Sequence, residues 1–591
     1  MKYPKLKELK TSRQTVEVFR GYNRNLRISD GEFYDMKNMS SGSYPILAPR
    51  GARGVYASPE APGGLIAKDA LCYVDGTDFV INEYRIDMGL NEEPKQLISM
   101  GAYVIILPDK KYINTADLTD YGNIEAEYKT IDPVSFTLCR LDGSEYNAEY
   151  LQAEEPADPA NMALWIDTSS TPHCLRQWSE VSGMWVSIAT CYVKIHSMGI
   201  GKNFEKYDGI TISGLKDTEL RDMAGVAVNS DDLEKLDGAA IVWDKGDDYI
   251  VVVGMLDVTR TIENVITISR TMPHMDFVVE SENRLWGCRY GTARNGEVVN
   301  EIYSSKLGDF KNWNCFMGLS TDSYTASVGT DGQFTGAITL PGQVLFFKEN
   351  CIHKVYGNFP SNFQIQTTQA RGVQKGCERS LAIVNEVIYY KAKHAVCAYD
   401  GSLPTEISYC LGEERYANAV AGAHGSKYYI SMADTSGKWH LFVYDTAKGL
   451  WHREDDLQAD CFCSCRDELY AIDHKTRKII TMLGSGTKDT KKVDWMVETG
   501  PLGTNMPDMK YIARLILRMS LAVGTRMRIY IQYDSIGGWK LVGNQTGTSL
   551  RSFSLPIKPR RCDHFRLRIE GEGDFKIYSI TKTIEEGSDI S

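Results

Sequence analysis

The chain has 591 residues, of which 43% are hydrophobic and 24% charged, the balance of a globular protein with a large core and several domains. A net charge of −11 excludes general binding of a polyanion over the whole surface, but it is compatible with DNA sliding along a wall without sticking. No run of 18 apolar residues exists, and Met1–Lys10 has no apolar stretch of the signal-peptide kind, so the sequence predicts no helical membrane span and synthesis in the cytosol.

Residues 1–55 read as an extended lead-in, because Asp30-Gly31, Pro45 and Pro49 favour strand and turn over helix. Two hairpins follow. Ala70–Val74 turns at Asp75-Gly76 into Phe79–Ile81, and Tyr103–Leu107 turns at Pro108-Asp109 into Tyr112–Asn114. Beyond the acidic, proline-bearing segment Glu154–Pro159, strands are expected at Tyr192–Ile195, Gly209–Ile212, Gly238–Trp243 and Tyr249–Gly254. This stretch, 131–260, reads as a small β-barrel-like domain inserted into something larger. Asp231–Leu236 allows one short helical turn.

From 261 to 490 short apolar runs alternate with Gly, Asp and Asn turns, as in Asn283–Gly287, Glu301–Ser305, Leu345–Lys348, Tyr428–Met432 and Leu441–Asp445. An aromatic residue closes many units, and four strands recur in about 40–50 residues, the rhythm of β-propeller blades. Residues 491–591 alternate apolar and polar side chains, as in Ile512–Met519, Arg526–Tyr533 and Phe565–Glu570, which predicts an antiparallel β-sandwich. The expected fold is therefore all-β. A propeller is formed by 1–130 (lead-in and first blades) and 261–490, with an inserted domain at 131–260 and a terminal sandwich at 491–591.

Candidate chemistry is sparse. Cys461, Cys463 and Cys465 share one face of a strand, with His474 downstream, but their spacing is not that of a structural zinc site and a core strand is the simpler reading. The other cysteines, such as Cys191, Cys288 and Cys351, stand alone, which suits reduced buried thiols. Gly199-Ile200-Gly201-Lys202 lacks the spacing of a phosphate loop and is expected to be a turn. Ser305 to Trp313 resembles the Asp-box turn of sialidase-type propellers, with different spacing, and is expected to be structural. No HExxH or Gly-x-Ser-x-Gly is present. The sequence thus names no catalytic, cofactor-binding or metal residue, and no enzyme is expected. The terminal region is locally basic through Arg514, Arg518, Arg526, Arg528, Lys558, Arg560, Arg561, Arg566 and Arg568. It is either a solvated strand face or an interface to an acidic partner.

The lead-in Phe19-Arg20-Gly21-Tyr22, the segment Asp30–Met39 and Pro49-Arg50 together resemble the opening of tailed-bacteriophage propeller proteins, of the packaged-DNA stabilisation and tail-nozzle types. Asn300–Trp313, Gly332–Ile338 with Phe346–Glu349, and Leu555-Pro556 are similar to later parts of such proteins. The resemblance covers most of the chain outside 130–260. It implies a virion protein made in the bacterial host cytoplasm. It further implies a homo-oligomeric ring, often six-fold, at the tail or head–tail junction, in contact with neighbouring tail, neck or portal-adaptor proteins. Such a ring stabilises packaged DNA and lines its exit channel without sequence-specific binding or a cofactor. The alternative is a receptor- or glycan-binding propeller at the tail tip.

Overall fold

Tight two-residue turns set the blade architecture. Asn82-Glu83, Glu282-Asn283 and Asn385-Glu386 all have positive φ at both positions, which is what a type I′ hairpin requires and what asparagine tolerates. The computed structural model describes residues 10–586 except 131–132, 217–219, 229–230, 294–295, 486, 489–491, 507–508 and 559, together with the backbone but not the side chains of 487–488. Its described residues are almost entirely β, with one short helix at Asp231–Glu234.

Seven sheets among the described residues form a closed ring. The first six blades are four-stranded and occupy 62–87, 96–123, 277–327, 334–369, 382–406 and 416–453. In each, the first strand in sequence lies at one end of the sheet and the chain steps outward strand by strand. These first strands follow one another around the ring: Pro62–Ala67 meets Gln96–Met100, which meets Phe277–Ser281, which meets Phe334–Leu340; that strand reaches the fifth blade through the turn Glu378–Ser380, and Ala382–Val384 meets Tyr416–His424, which meets Ala459–Cys465, which returns to Pro62–Ala67. The seventh blade takes three strands from 459–481, and its next strand, Gly54–Ala57, comes from the beginning of the chain. The ring is thus closed by backbone hydrogen bonds between residues more than 400 positions apart.

Blade strands are buried on both faces because each sheet is sandwiched between two neighbours. Val104–Ile106 and Leu345–Phe347 are continuous apolar runs for that reason, and all six residues are fully buried. The insertion leaves the ring after the second blade and returns before the third, with strands from Ala126–Lys129 to Thr267–Arg270. A four-stranded and a five-stranded sheet share one core of Val134, Phe136, Ile195, Ile210, Ile250 and Ile268, a small barrel-like body. A further four-stranded sheet beside it carries Tyr150, Trp165, Trp178 and Trp185 in edge-on contact.

The terminal region is built on one 24-residue strand, Lys510–Tyr533. Its first half pairs with Phe575–Glu586 and its second half with Phe565–Glu572, while Lys540–Ser554 follows it along the other edge. Register shifts between Met519 and Arg526 bend the strand and fold the sheet into two limbs. Leu517 and Met519 of one limb and Ile529, Leu567 and Ile569 of the other lie in the same buried cluster, as a sandwich requires. The lead-in is sewn into this sheet: Thr11–Val16 pairs with Phe575–Glu586, and Glu32–Lys37 pairs with Asp494–Thr499.

Candidate functional site

Two places concentrate polar chemistry: the centre of the ring and the joint between ring and terminal sheet. The centre is a cavity of about 510 Å³ reached by six blades and by the segment that leads into the fifth, with Leu65, Leu97, Phe277, Ala337, Val420 and Phe462 on its wall. Glycine lets the inner strands approach closely, most tightly at Gly422 and Gly336. A Cβ on Gly422 would lie 2.3 Å from Phe462, and one on Gly336 would lie 2.8 Å from Leu381, so only hydrogen lets these neighbours pack.

Two lysines of the cavity wall are paired with carboxylates. Lys95 has a fully buried side chain and meets Asp109 at 2.5 Å; its ammonium also donates to Asn91. Lys110 pairs with Glu125 at 2.7 Å and donates to the Met272 carbonyl at 3.0 Å. Gln96 donates to the Val278 carbonyl at 2.6 Å, and Arg379 donates to the Asp460 carbonyl at 2.8 Å. Asp276 accepts the Tyr290 N–H at 2.8 Å and is exposed to the cavity, as is His274. Aromatic rings and aliphatic chains with a few directional polar groups can hold a small polar ligand, and the volume is that of a ligand pocket.

The joint uses the lead-in residues of the sequence motif. Asp30 meets Lys582 at 2.8 Å and Asp35 meets Arg453 at 2.9 Å. Asn38 donates its backbone N–H to the Glu454 carbonyl and its amide to the Asp494 carbonyl, both at 2.6 Å, and accepts from Arg50 at 2.9 Å. Arg53 grips Glu454 and Asp455, each at 2.7 Å, and Arg50 reaches Asp455 at 3.3 Å. Burial by itself would raise the Asp455 pKa, but Arg53 and Arg50 more than offset it, so the carboxyl sits below its ordinary value. Around this network Phe19, Tyr22, Phe33 and Met36 join Tyr428 and Phe442 of the sixth blade and Trp495 of the terminal sheet in one apolar cluster.

The residues singled out in the sequence do not converge. Cys461, Cys463 and Cys465 lie on the inner strand of the seventh blade and pack against Leu65, Ala67 and Leu71 of the first. Burial pushes the Cys461 and Cys463 thiols up to about 12, so they are protonated at neutral pH, and His474 bonds Asp460 at 2.8 Å instead of joining them. All fourteen cysteines are free, and no cluster of three or more potential metal ligands occurs among the described residues. Gly199–Lys202 forms one 3-10 turn in the insertion, packed so that a Cβ on Gly201 would overlap the Gly246 carbonyl.

The Ser305–Trp313 turn seats the insertion on the third blade. Asn312 donates to Asp208 at 2.9 Å and accepts the Gly209 N–H at 2.9 Å, while the Trp313 ring is 2% exposed and donates to the Phe310 carbonyl at 3.0 Å. The basic terminal residues divide into two groups. Arg566 and Arg568 both clamp Glu498 and Arg528 meets Glu570 at 3.1 Å, whereas Arg514, Arg518 and Arg526 are exposed on the sheet. The cavity-wall set was missed because its members come from separate blades, mostly from the turns beside the inner strands, with no spacing signature to join them. The Arg53 grip had a partial signal in Pro49-Arg50 beside Glu454-Asp455-Asp456, which no local pattern connects.

No family model matches the sequence, and no curated protein matches it. Solved structures with some similarity include the exo-β-1,3-galactanase of Phanerochaete chrysosporium, at 9% identity over 52% of this chain and 94% of that one, with a TM-score of 0.20. PorZ, a surface component of the type-IX secretion system of Porphyromonas gingivalis, is 9% identical over 90% of this chain and 82% of that one, with a TM-score of 0.26. U3-55K is 7% identical over 52% and 88%, with a TM-score of 0.24. These likenesses concern the β fold alone. The expectation that the chain is no enzyme is corrected by them, because glycoside hydrolases stand among the similar structures and this architecture therefore gives no ground for excluding catalysis.

Proposed function

We propose that the protein is a structural component of a tailed-phage particle, assembled as a homo-oligomeric ring near the tail or neck, where it supports the path of packaged DNA. The observation that carries this reading is the joint. The lead-in residues that resemble phage propeller proteins are the ones that lock ring and terminal sheet together, through Asp30, Asp35, Asn38 and Arg50. A rigid two-part body suits a wall element. On this reading DNA runs between copies rather than through one propeller. A cavity of about 510 Å³ has the size of a ligand pocket, whereas the major groove of a duplex is by itself about 12 Å wide. The acidic balance of residues 1–490, with 50 Lys and Arg against 66 Asp and Glu, lets a polyanion pass without being held. Proteomics of purified particles from the host, with electron microscopy of the isolated protein, tests the reading. The protein is expected in the particles and as closed rings; a strictly monomeric protein absent from particles overturns it.

The cavity favours a second reading, a propeller that binds a glycan or other small polar ligand at the tail tip. Phe277 and Phe462 supply ring surface there, and Asp276 and His274 supply polar contacts. A glycan array probed with the wild type and with Asp276→Asn is expected to show binding that the variant weakens tenfold or more. Absence of any wild-type signal on the array and on host cell wall removes this reading.

A further inference from the structure

The limb of the terminal sheet built on the first half of Lys510–Tyr533 ends in two bare edges. Lys540–Ser554 is paired only with Lys510–Tyr533, and Thr11–Val16 is paired only with Phe575–Glu586. Among the described residues no strand lies beyond either of them. Proteins protect an open edge by keeping it short, by placing charges along it, or by breaking it with proline. Lys540–Ser554 uses none of these along most of its length, and only the register shifts of its pairing with Lys510–Tyr533 interrupt it. It has 15 residues, roughly 50 Å at about 3.4 Å each. It contains no proline, and Leu541 to Leu550 contain no charge. Leu541 and Leu550 are 55% and 45% exposed. Such an edge is a template for another strand.

We infer that this edge is covered by a second copy of this chain, whose Thr11–Val16 adds to it as the next strand. The inference rests on the oligomer in the reading above and names its contact. Strand direction supports it. Thr11–Val16, Phe575–Glu586, Lys510–Tyr533 and Lys540–Ser554 follow one another across the sheet, each antiparallel to the next, with Thr15 and Val16 level with Ser554 and Phe553. The two outer strands therefore run in opposite directions. Setting Thr11–Val16 of one copy beside Lys540–Ser554 of another continues the antiparallel alternation without a break. Charge distinguishes this from a two-fold contact between like edges. The only charges on Lys540–Ser554 are Lys540 and Arg551, beside the exposed Arg514 and Arg518, so two copies of this edge would set all of these against one another, whereas Thr11–Val16 brings only Arg13. Setting Thr11–Val16 of one copy on this edge joins terminal sheet to terminal sheet, head to tail. Such a contact is heterologous, and repeated it closes into a ring or runs on as a filament.

The test uses the full chain. Thr546→Lys with Ser549→Lys charges the edge at two exposed positions, and mass photometry across a concentration series compares it with the wild type. The double variant is expected to raise the dissociation constant of the assembly at least tenfold with an unchanged melting temperature. In parallel, Thr15→Cys and Ser549→Cys proteins are mixed and oxidised, and mass spectrometry is expected to find the peptide joining position 15 of one copy to position 549 of another. An assembling wild type with an equally assembling double variant overturns the inference while leaving the ring intact. A link between two copies of position 549 overturns it in favour of a two-fold contact. A wild type that stays monomeric at every concentration overturns both the inference and the ring.

Discussion

Arg53 holds two carboxylates at once in a place with little water, and that makes it the most sensitive single charge in the joint. Its side chain is 13% exposed, and those of Glu454 and Asp455 are 8% and 16% exposed. Replacing it with methionine leaves two buried acids with Arg50 as their one ion-pair partner among the described residues and Lys427 near Glu454, which by the usual cost of a broken buried pair destabilises the protein by about 3 kcal/mol. Thermal unfolding of Arg53→Met is expected to begin at clearly lower temperature than that of the wild type. The carboxyl of Asp455, held below its ordinary value, contributes stability above about pH 4 that is lost as the pH falls further. Two histidines act at higher pH. Burial, with Lys348 adding to it, lowers the His353 pKa to about 4, and burial with Lys427 nearby lowers that of His452 to about 3. Both stay neutral in the folded chain, while the unfolded chain takes up protons below about pH 6.5. Each therefore subtracts about 1.4 kcal/mol of stability per pH unit on acidification from 6.5 toward its own value. Urea midpoints measured at pH 7 and pH 5 are expected to fall, and His353→Gln is expected to flatten that dependence. Little of this was legible beforehand, because burial decides it and burial is a property of the whole fold. Asp30, Asp35, Asn38 and Arg50 stood out in the sequence, yet not their partners Lys582, Arg453, Asp494 and Asp455.

At the scale of strands and blades the sequence was far more readable. Turn residues and short apolar runs marked the hairpins at 71–81 and 103–114 and the sixth blade at Leu441–Asp445 and Leu450–Trp451, because local chemistry selects these shapes. Alternation in Arg526–Tyr533 and Phe565–Glu570 marked the terminal sheet for the same reason, one wet face and one dry. What no local pattern carries is which strand completes a blade. Gly54–Ala57 looks like any short extended piece, and its place beside Ile479–Thr481 follows only from ring closure. The inner strands are equally unmarked, although Gly422 and Gly336 hold their spacing. Gly422→Val drives a side chain into Phe462 and is expected to cost about 1–3 kcal/mol by overpacking, read as a lower urea midpoint. An alanine at Gly76, where no atom lies within 4 Å, adds no such clash and leaves only the strain of its left-handed backbone.

For the molecule as a whole, the lead-in makes ring and terminal sheet one body. Phe19, Phe33 and Met36 share a cluster with both, so their cores are continuous. Calorimetry is expected to show one transition covering ring and terminal sheet, and Phe33→Ala is expected to lower that transition while splitting it in two, at a cost of about 3–5 kcal/mol. Two separate transitions in the wild type would show that the shared cluster does not couple them. The insertion, with its own core, is free to melt apart from both.

The borrowed strand of the seventh blade has a consequence for how the chain is made. Gly54–Ala57 leaves the ribosome early, and its partner Ile479–Thr481 follows some 420 residues later. At about 5–20 residues per second, synthesis separates them by roughly 20–80 s. During that interval six blades can form while the circle stays open, with an apolar flank at each end and the lead-in waiting for a sheet that does not yet exist. The newborn chain is therefore at its most adhesive just before it is finished, when a chaperone or a neighbouring nascent copy on the same message has longest to reach it.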